Sequence, residues 1–510
     1  MSMPELSDYL SSLHERGVRL WIDGGQLRYQ ASKGTLSTAD LARLRMMRAN
    51  IVSELTKPPL AAADHTMPVS QGEPQSIPVS FQQRWLLSLM EQDDDWPQTQ
   101  SFAFRLTGLL QAQLLKRSVD ALLRAHDSLR ARVVSADGHH CWKIDEPCKH
   151  PLDVVAVPES LAVEEKHNIR TLIADLTARR AERAADSMLY TRLVRISDQQ
   201  HYLILVVHRL AADCLAIGQI FRELWLQYGE GLRSQSPQST PQSKQYRDYT
   251  LWQRATDAPW QQKHAGYWQQ HLCDAVPIQW PADGSASRGA ENLVLLQGAL
   301  GGKLSARLRE LGRRAQSLPS MVMLTLYVCV ISRWCKQQDF VVPFNVAGRH
   351  AAHDGVVGCF SHVLFLRVRL KGGELFQELL RRVSDEFYKA VFHQDFGRVA
   401  LNRPDLLGGT FCQWLSWHPA ELAGQEMYDI PQKLGISAQP VHFQSAWDFT
   451  NVPPGVTDLE VCFFDSATDI RMLLIFRRER FAESTLERLI QELRTLAEQI
   501  VTDPLWCLSG

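Results

Sequence analysis

Paired cysteines, long apolar runs and an excess of charge of one sign are all missing from this 510-residue chain, and each absence removes a class of protein. The ten cysteines are scattered, with no CxxC pair and no metal-ligand spacing, so neither a disulfide scaffold nor a metal centre is expected. Lys+Arg number 55 against 56 Asp+Glu, a net charge of −1 that sets up no field for a polyanion, and nucleic acid is not an expected partner. No stretch approaches the roughly 20 apolar residues of a membrane helix. The amino-terminal MSMPELSDYLSSLHERG is amphipathic and acidic where a signal peptide is basic then apolar, so no membrane association and a cytoplasmic location are expected. The remaining composition, 45% hydrophobic and 22% charged, is that of a globular chain long enough for several cores.

Two breaks organise the chain. Ahead of the first, in residues 1–57, Leu6, Leu10 and Leu13 recur at helical spacing, Gly17 stops that helix, and VRLWIDGGQLRYQAS reads as a hairpin around Asp23-Gly24-Gly25. Ser37, Thr38 and Asp40 then open a helix with apolar Leu41, Leu44, Met47, Ile51 and Leu55, leaving Arg43, Arg45 and Arg48 elsewhere on its circumference. This stretch holds 8 Lys/Arg and 6 Asp/Glu and is mildly basic. Residues 58–78 carry five prolines and few bulky apolar groups, the composition of a linker. A second break at PADGSASRGAE (residues 281–291) divides the rest into 79–285 and 286–510, both mixing strands and helices. In the first, Leu203–Val207 reads as a buried strand, followed by the loop HRLAAD and the helix AIGQIFRELWLQY.

Six segments in order resemble the condensation domains of non-ribosomal peptide synthetases: VSFQQRWLLSL from Val79, AHDSLRARV from Ala125, YRDYTLWQ from Tyr246, PFNVAGR from Pro343, VGCFSHVLFLR from Val357 and HQDF from His393. Tyr267-Trp268 adds a seventh point of likeness. The resemblance implies an α/β (α+β) fold of two chloramphenicol-acetyltransferase-like lobes in a V-shaped pseudodimer, with 79–285 and 286–510 as the lobes. Residues 1–57 are similar to a TubC-type αββα docking domain, which implies capture of an upstream synthetase's carboxy-terminal peptide. Arg43, Arg45 and Arg48 suit an acidic peptide, and equally suit a solvated helix face. The implied partners are the upstream carrier protein and a downstream carrier protein or free amine acceptor. No cofactor is expected to be bound, the phosphopantetheine arm arriving on the carrier.

The family's active loop, HHxxxDG, corresponds here to His208-Arg209-Leu210-Ala211-Ala212-Asp213-Cys214. Arg209 replaces the second histidine, and a guanidinium has no lone pair with which to accept a proton. It is left with oxyanion stabilisation while the loop orients the reactants. The resemblance gives His208 and Asp213 a supporting part and implies an Asp213–Arg349 pair, with Asp213–Arg209 as the alternative. Cys214, in place of glycine, reads as a buried thiol rather than a nucleophile. His362 is a candidate substitute base, set against a packed or hydrogen-bonded histidine, and His393 reads as structural.

The expected function is therefore a free-standing or module-opening condensation enzyme that joins a carrier-bound acyl or aminoacyl thioester to an amine. The alternative is a catalytically silent, X-domain-like scaffold that recruits a carrier or a tailoring enzyme, because the loop also resembles the HRxxxDD form of X domains. Heterocyclisation is disfavoured, since it needs aspartate where His208 stands.

Overall fold

A computed structural model describes residues 77–92, 98–136, 139–145, 152–157, 171–172, 188–234, 244–255, 258–281, 283, 293–349, 353, 355–394, 402–415, 424–441, 456–465, 468–503 and 505–507, and before them 19–23, 26–30, 37, 40 and 44. Two compact units emerge: Met1–Pro68 with Arg349–Asp354, and Val69–Gly348 with Gly355–Gly510.

In the first unit β1 (Arg19–Asp23) and β2 (Gln26–Gln30) pair antiparallel as expected, with Asp23 opposite Gln26. Ser37 and Asp40 cap a helical turn reciprocally: Ser37 Oγ accepts from the Asp40 N–H at 3.1 Å, and the Asp40 carboxylate accepts from the Ser37 N–H at 2.9 Å. Leu44, one turn on, is buried. Arg43, Arg45 and Arg48 lie outside the described residues.

The second unit begins with β3 (Ile77–Pro78) and α1 (Phe81–Met90), which Ser80 and Gln83 start with a full capping box. There follow β4 (Thr99–Thr107), α2 (Ala112–Ala125), β5 (Ala131–Ala136), β6 (His139–Ile144), β7 (Asp153–Ala156), β8 (Leu189–Arg195) and β9 (Gln200–His208). The helices α3 (Cys214–Ser234), α4 (Tyr246–Ala255) and α5 (Ala258–His271) complete this half. The run YLILVV makes β9 apolar on both faces, so it lies between neighbours, with β4 on one side and β8 on the other. Phe221, Trp225 and Tyr228 recur on one face of α3, and Phe221 lies 4.0 Å, centroid to centroid, from Phe104 of β4.

The second half runs β10 (Leu293–Ala299), α6 (Gly302–Arg314), α7 (Pro319–Cys335), β11 (Asp339–Val346), β12 (His362–Arg369), α8 (Phe376–Phe392), β13 (Thr410–Leu415), α9 (Gly424–Lys433), β14 (Ser437–Pro440), β15 (Leu459–Asp465), β16 (Ile470–Arg477) and α10 (Glu483–Thr502). Its six-stranded sheet has the order β10-β16-β15-β13-β11-β12, with β13 parallel to both β11 and β15. The helix α7, opened by Pro319 at its first turn, is apolar around its circumference because it is buried along most of its length. Its Tyr327 hydroxyl meets Thr410 Oγ1 at 2.6 Å, and Thr410 donates in turn to the Leu459 carbonyl.

One strand crosses the expected lobe boundary. β14 pairs antiparallel with β4, Ser437 opposite Thr107, giving the first sheet the order β14-β4-β9-β8-β7. A division at 285/286 therefore does not separate the sheets, because residues 437–440 cover main-chain groups on the edge of β4. Among the described residues no single helix is long and apolar enough to cross a membrane, and no group of three metal-ligating side chains is found.

Candidate active site at the lobe seam

The run of β-strand pairing that buries β9 ends at His208, and the chain then turns through residues 209–213 before α3 begins. Main-chain bonds fix this turn: His208 N–H donates to Met188 at 2.8 Å, Arg209 N–H to Gln98 at 2.9 Å, and Ala211 N–H to His208 at 2.9 Å. His208 Nδ1 accepts from the Leu210 N–H at 3.1 Å, so a neutral His208 carries its proton on Nε2. Gln83 holds the loop from α1, donating through Nε2 to the Leu210 carbonyl at 2.8 Å while its Oε1 accepts from Trp142 at 2.7 Å. His208, Arg209 and Asp213 are only 5%, 6% and 5% exposed.

Asp213 joins the two halves of this unit. Its Oδ1 accepts from the Ala216 N–H at 2.8 Å, capping α3, and its Oδ2 accepts from the N–H groups of Phe360 at 3.0 Å and Ser361 at 3.3 Å. Its own N–H donates to the Gly358 carbonyl at 3.1 Å. A carboxylate is suited to this position, since it accepts on both oxygens and complements the positive end of the helix.

The partner segment, Val357–His362, is stitched residue by residue to the first half. Ser128 Oγ donates to the Val357 carbonyl at 2.9 Å, and the Tyr246 hydroxyl donates to the Cys359 carbonyl. Ser80 Oγ lies 2.8 Å from that hydroxyl, whose only proton is already directed at Cys359, so Ser80 is the donor. The rings of Tyr246 and Tyr249 pack on Phe360 with centroids 4.9 and 4.8 Å away. Gly358 is required here by space: a Cβ at that position would come within 1.9 Å of the Tyr246 ring. The segments VSFQQRW, YRDYTLWQ, HRLAADC and VGCFSH, far apart in sequence, thus meet at one seam.

Burial pushes the Cys214 thiol up to about 11; Asp213 acts in the same direction and the Arg209 guanidinium against it. Such a thiol is protonated near neutrality and is a poor nucleophile. Across the seam on β13 and β15, Gln413 Nε2 donates to Cys462 Sγ at 2.8 Å and faces the Glu460 carboxylate at 3.4 Å. Burial, with Glu460 next in effect, likewise raises the Cys462 thiol.

His362, at the start of β12, is buried with both ring nitrogens 2.9 Å from main-chain oxygens, Nδ1 from that of Phe360 and Nε2 from that of Gln394. Gly348 of the AGR segment has φ +61°, and a Cβ there would meet the Phe360 oxygen at 2.2 Å and His362 Nδ1 at 2.7 Å. Glycine answers both the left-handed conformation and the crowding. Arg349 follows it, half-buried. His393 ends α8, stacked on Tyr267 with centroids 3.9 Å apart, its Nδ1 2.9 Å from His264 Nδ1 and its carbonyl accepting from Trp268 Nε1.

The sequence locates these segments but marks no role for Gln83, Tyr246, Gly358, Gln413 or Glu460. The first three stand within the family-like motifs, so the motif positions themselves are the available signal. Gln413 and Glu460 lie within strand patterns and carry none.

Comparison with known proteins agrees with the geometry. The condensation domain family matches residues 73–404, and the TubC N-terminal docking domain family matches residues 6–56. Chondramide synthase cmdD of Chondromyces crocatus is 27% identical over 456 residues, 84% of this chain and 11% of that one, so the chain spans a small part of this relative. Among solved structures, the complex of the X-domain and OxyB from teicoplanin biosynthesis aligns with a TM-score of 0.69 at 20% identity, covering 88% of this chain and 98% of that one. The condensation domain of the monacolin K polyketide synthase MokA aligns with the same TM-score at 15% identity, over 86% of this chain and all of that one. At such identities the likeness is one of fold, and it is shared by a condensation domain and an X-domain alike.

Proposed function

From the premise that this chain belongs to the condensation-domain family and carries a TubC-type docking domain, we propose that it joins a carrier-bound acyl or aminoacyl thioester to an amine in non-ribosomal peptide synthesis. The observation that carries this reading is the Asp213 clasp, which fixes the loop bearing Arg209 to both halves of the fold through four hydrogen bonds. A held loop can supply orientation, which accounts for about 7–11 kcal/mol of barrier lowering in favourable intramolecular cases. The amine nitrogen attacks the thioester carbon, the C–N bond forms, and the C–S bond breaks. The amine's proton ends on the departing sulfur, giving an amide and a free pantetheine thiol. Arg209 takes no proton at any step. Its guanidinium donates to the tetrahedral oxyanion, a contribution worth about 10²–10³ in rate where one such donor has been removed elsewhere.

Asp213, His208 and Gln83 hold the loop in this reading, with Arg349 and Cys214 supporting it. His362 is not the base, because each of its nitrogens already faces a carbonyl oxygen. The docking domain takes an acidic carboxy-terminal peptide of the upstream synthetase on the side of Arg43, Arg45 and Arg48, bringing the upstream carrier into register. The acceptor is a downstream carrier-bound or free amine.

A second reading is favoured by Arg209 itself, cationic and 6% exposed: a silent scaffold of the X-domain kind that recruits a carrier or a tailoring enzyme. One assay separates the two. The upstream carrier is loaded with acyl thioester, amine is supplied, and intact mass follows the product for wild type, Arg209→Ala and Arg209→His. Condensation predicts an active wild type and a loss on the order of 10²-fold in Arg209→Ala. An inert wild type that Arg209→His switches on establishes the scaffold.

A further inference from the structure

The carboxyl end of α5 is gripped from the second half by two arginines. Arg367 of β12 donates through one terminal nitrogen to the carbonyls of His271, at 3.2 Å, and Cys273. Arg403 donates to those of Leu272 at 2.7 Å and Ala275 at 3.0 Å. These four carbonyls lie at and just past the negative end of the helix, where no further turn supplies N–H donors. Each guanidinium is itself held by a carboxylate. Asp339 takes Nε and the other terminal nitrogen of Arg367 at 2.9 and 2.8 Å, and Asp405 takes Nε and one terminal nitrogen of Arg403 at 2.9 and 2.8 Å. The carboxylate aims the planar fork so that its remaining N–H groups point at the helix end; lysine, a single point of charge, cannot serve both. Arg367 is only 7% exposed, and its main-chain N–H adds a bond to His271 Nε2 at 3.3 Å, so α5 also covers part of the edge of β12.

Both partners of this grip continue into the seam. α5 follows α4, whose Tyr246 donates to the Cys359 carbonyl and whose Gln253 accepts from the Phe81 N–H of the first half. β12 follows the segment on which the Asp213 clasp closes, at Phe360 and Ser361. The chain of α4 and α5 therefore meets the chain of residues 357–369 at two separate places, Tyr246 on Cys359 and the end of α5 on Arg367. Trp268 Nε1, donating to the His393 carbonyl at 3.0 Å, is a further hold along the helix. We propose that Arg367 and Arg403 are positioning residues: by clamping the carboxyl end of α5 they fix the register of α4 against the Val357–Ser361 segment, and with it the place at which Asp213 holds the Arg209 loop. α5, which the sequence groups with residues 79–285, is then mechanically part of the second half. The clamp belongs to the fold whether or not the chain turns over; only its effect on rate rests on the condensation reading.

The test is hydrogen–deuterium exchange of the full chain, read by mass on peptides from α5, from the loop 208–217 and from α7, for wild type, Arg367→Lys, Arg403→Lys and Asp339→Asn. Loss of charge-assisted hydrogen bonds is expected to speed exchange in α5 by about tenfold or more, and in the loop by a smaller factor, with α7 unchanged. Asp339→Asn alters no bond to α5 itself and changes a carboxylate that is 43% exposed, yet it should loosen α5 because Arg367 loses its aim. The proposal is overturned by an α5 that keeps its wild-type rate in Asp339→Asn, by a loop that is unchanged while α5 speeds up, or by an α7 that speeds up as much as α5. In the amide-forming assay Arg367→Lys is expected to lose on the order of tenfold in kcat with KM for the amine unchanged, and a rise in KM alone overturns the positioning role. A wild type that is inert there refutes the condensation reading and leaves the exchange result standing.

Discussion

The two sides of the seam contribute different chemistry. The first-half side offers charged and polar side chains, among them His208, Arg209 and Asp213, with Ser80, Gln83, Ser128 and Tyr246 in support. The second-half side answers almost entirely with main chain: the carbonyls of Val357, Gly358 and Cys359 and the N–H groups of Phe360 and Ser361. Main-chain groups persist whatever residue is present, so that side tolerates substitution except where a side chain must be absent, as at Gly358. On the opposite side each role belongs to one residue type, so a replacement such as Arg209 changes the chemistry while the hydrogen bonds that hold the loop remain.

The sharpest way to break this asymmetry is to give the glycine a side chain. Gly358→Val is expected to destabilise the chain by about 3 kcal/mol or more in urea unfolding, because the Tyr246 ring stands where Cβ would go. Gly358→Ala made alone and in a Tyr246→Ala background tests the cause: much of its cost should vanish in the double variant. Asp213→Ala comes next. It removes a helix cap worth about 1 kcal/mol and leaves the buried Phe360 N–H and the half-buried Ser361 N–H unpaired at about 1–3 kcal/mol each, so a loss of about 3 kcal/mol is expected by the same measurement, the low end of that sum because Ser361 keeps access to water. Asp213→Asn, which keeps one accepting oxygen, should fall between it and wild type. Ser80→Ala removes the cap of α1 and the proton given to Tyr246, with an expected cost of about 1 kcal/mol.

The smallest effect concerns Cys214. With its thiol pushed up to about 11, it should resist iodoacetamide at pH 8 while exposed Cys273 and Cys507 react, and mass mapping reads the difference. The sign for stability follows. The unfolded chain gives up this proton at lower pH than the folded one, so the contribution is complete at neutral pH and is lost as pH rises toward 11. Rapid labelling of Cys214 at pH 8 would mean that the amino-terminal end of α3 is open to solvent.

Much of this was legible in the residues. The apolar run of β9, the paired strands β1 and β2 and the mostly apolar α7 each carry a period or composition that admits one reading. The strand β14 did not announce itself: Ser-Ala-Gln-Pro is short and polar, and it is a strand because the edge of β4 needs covering. At the site, motif order located the loop and its supports. It could not show that Asp213 accepts from Phe360 and Ser361, because a bond to main chain leaves no mark on the residue that donates it. The same blindness applied to His362, whose ring nitrogens meet main-chain oxygens of Phe360 and Gln394 that any residue could supply.

Because β14 is delivered from residue 437 to a sheet otherwise complete by residue 208, the polypeptide cannot be divided at its middle into two self-sufficient pieces. A fragment ending near 285 would leave β4 with a bare flank, inviting strands from other copies. Moving the cut beyond Val441 keeps that flank covered but parts β15 and β16 from the four strands they complete. Split versions for reconstitution or reporter use therefore need both fragments made together, since any single cut between β4 and β16 opens one sheet or the other.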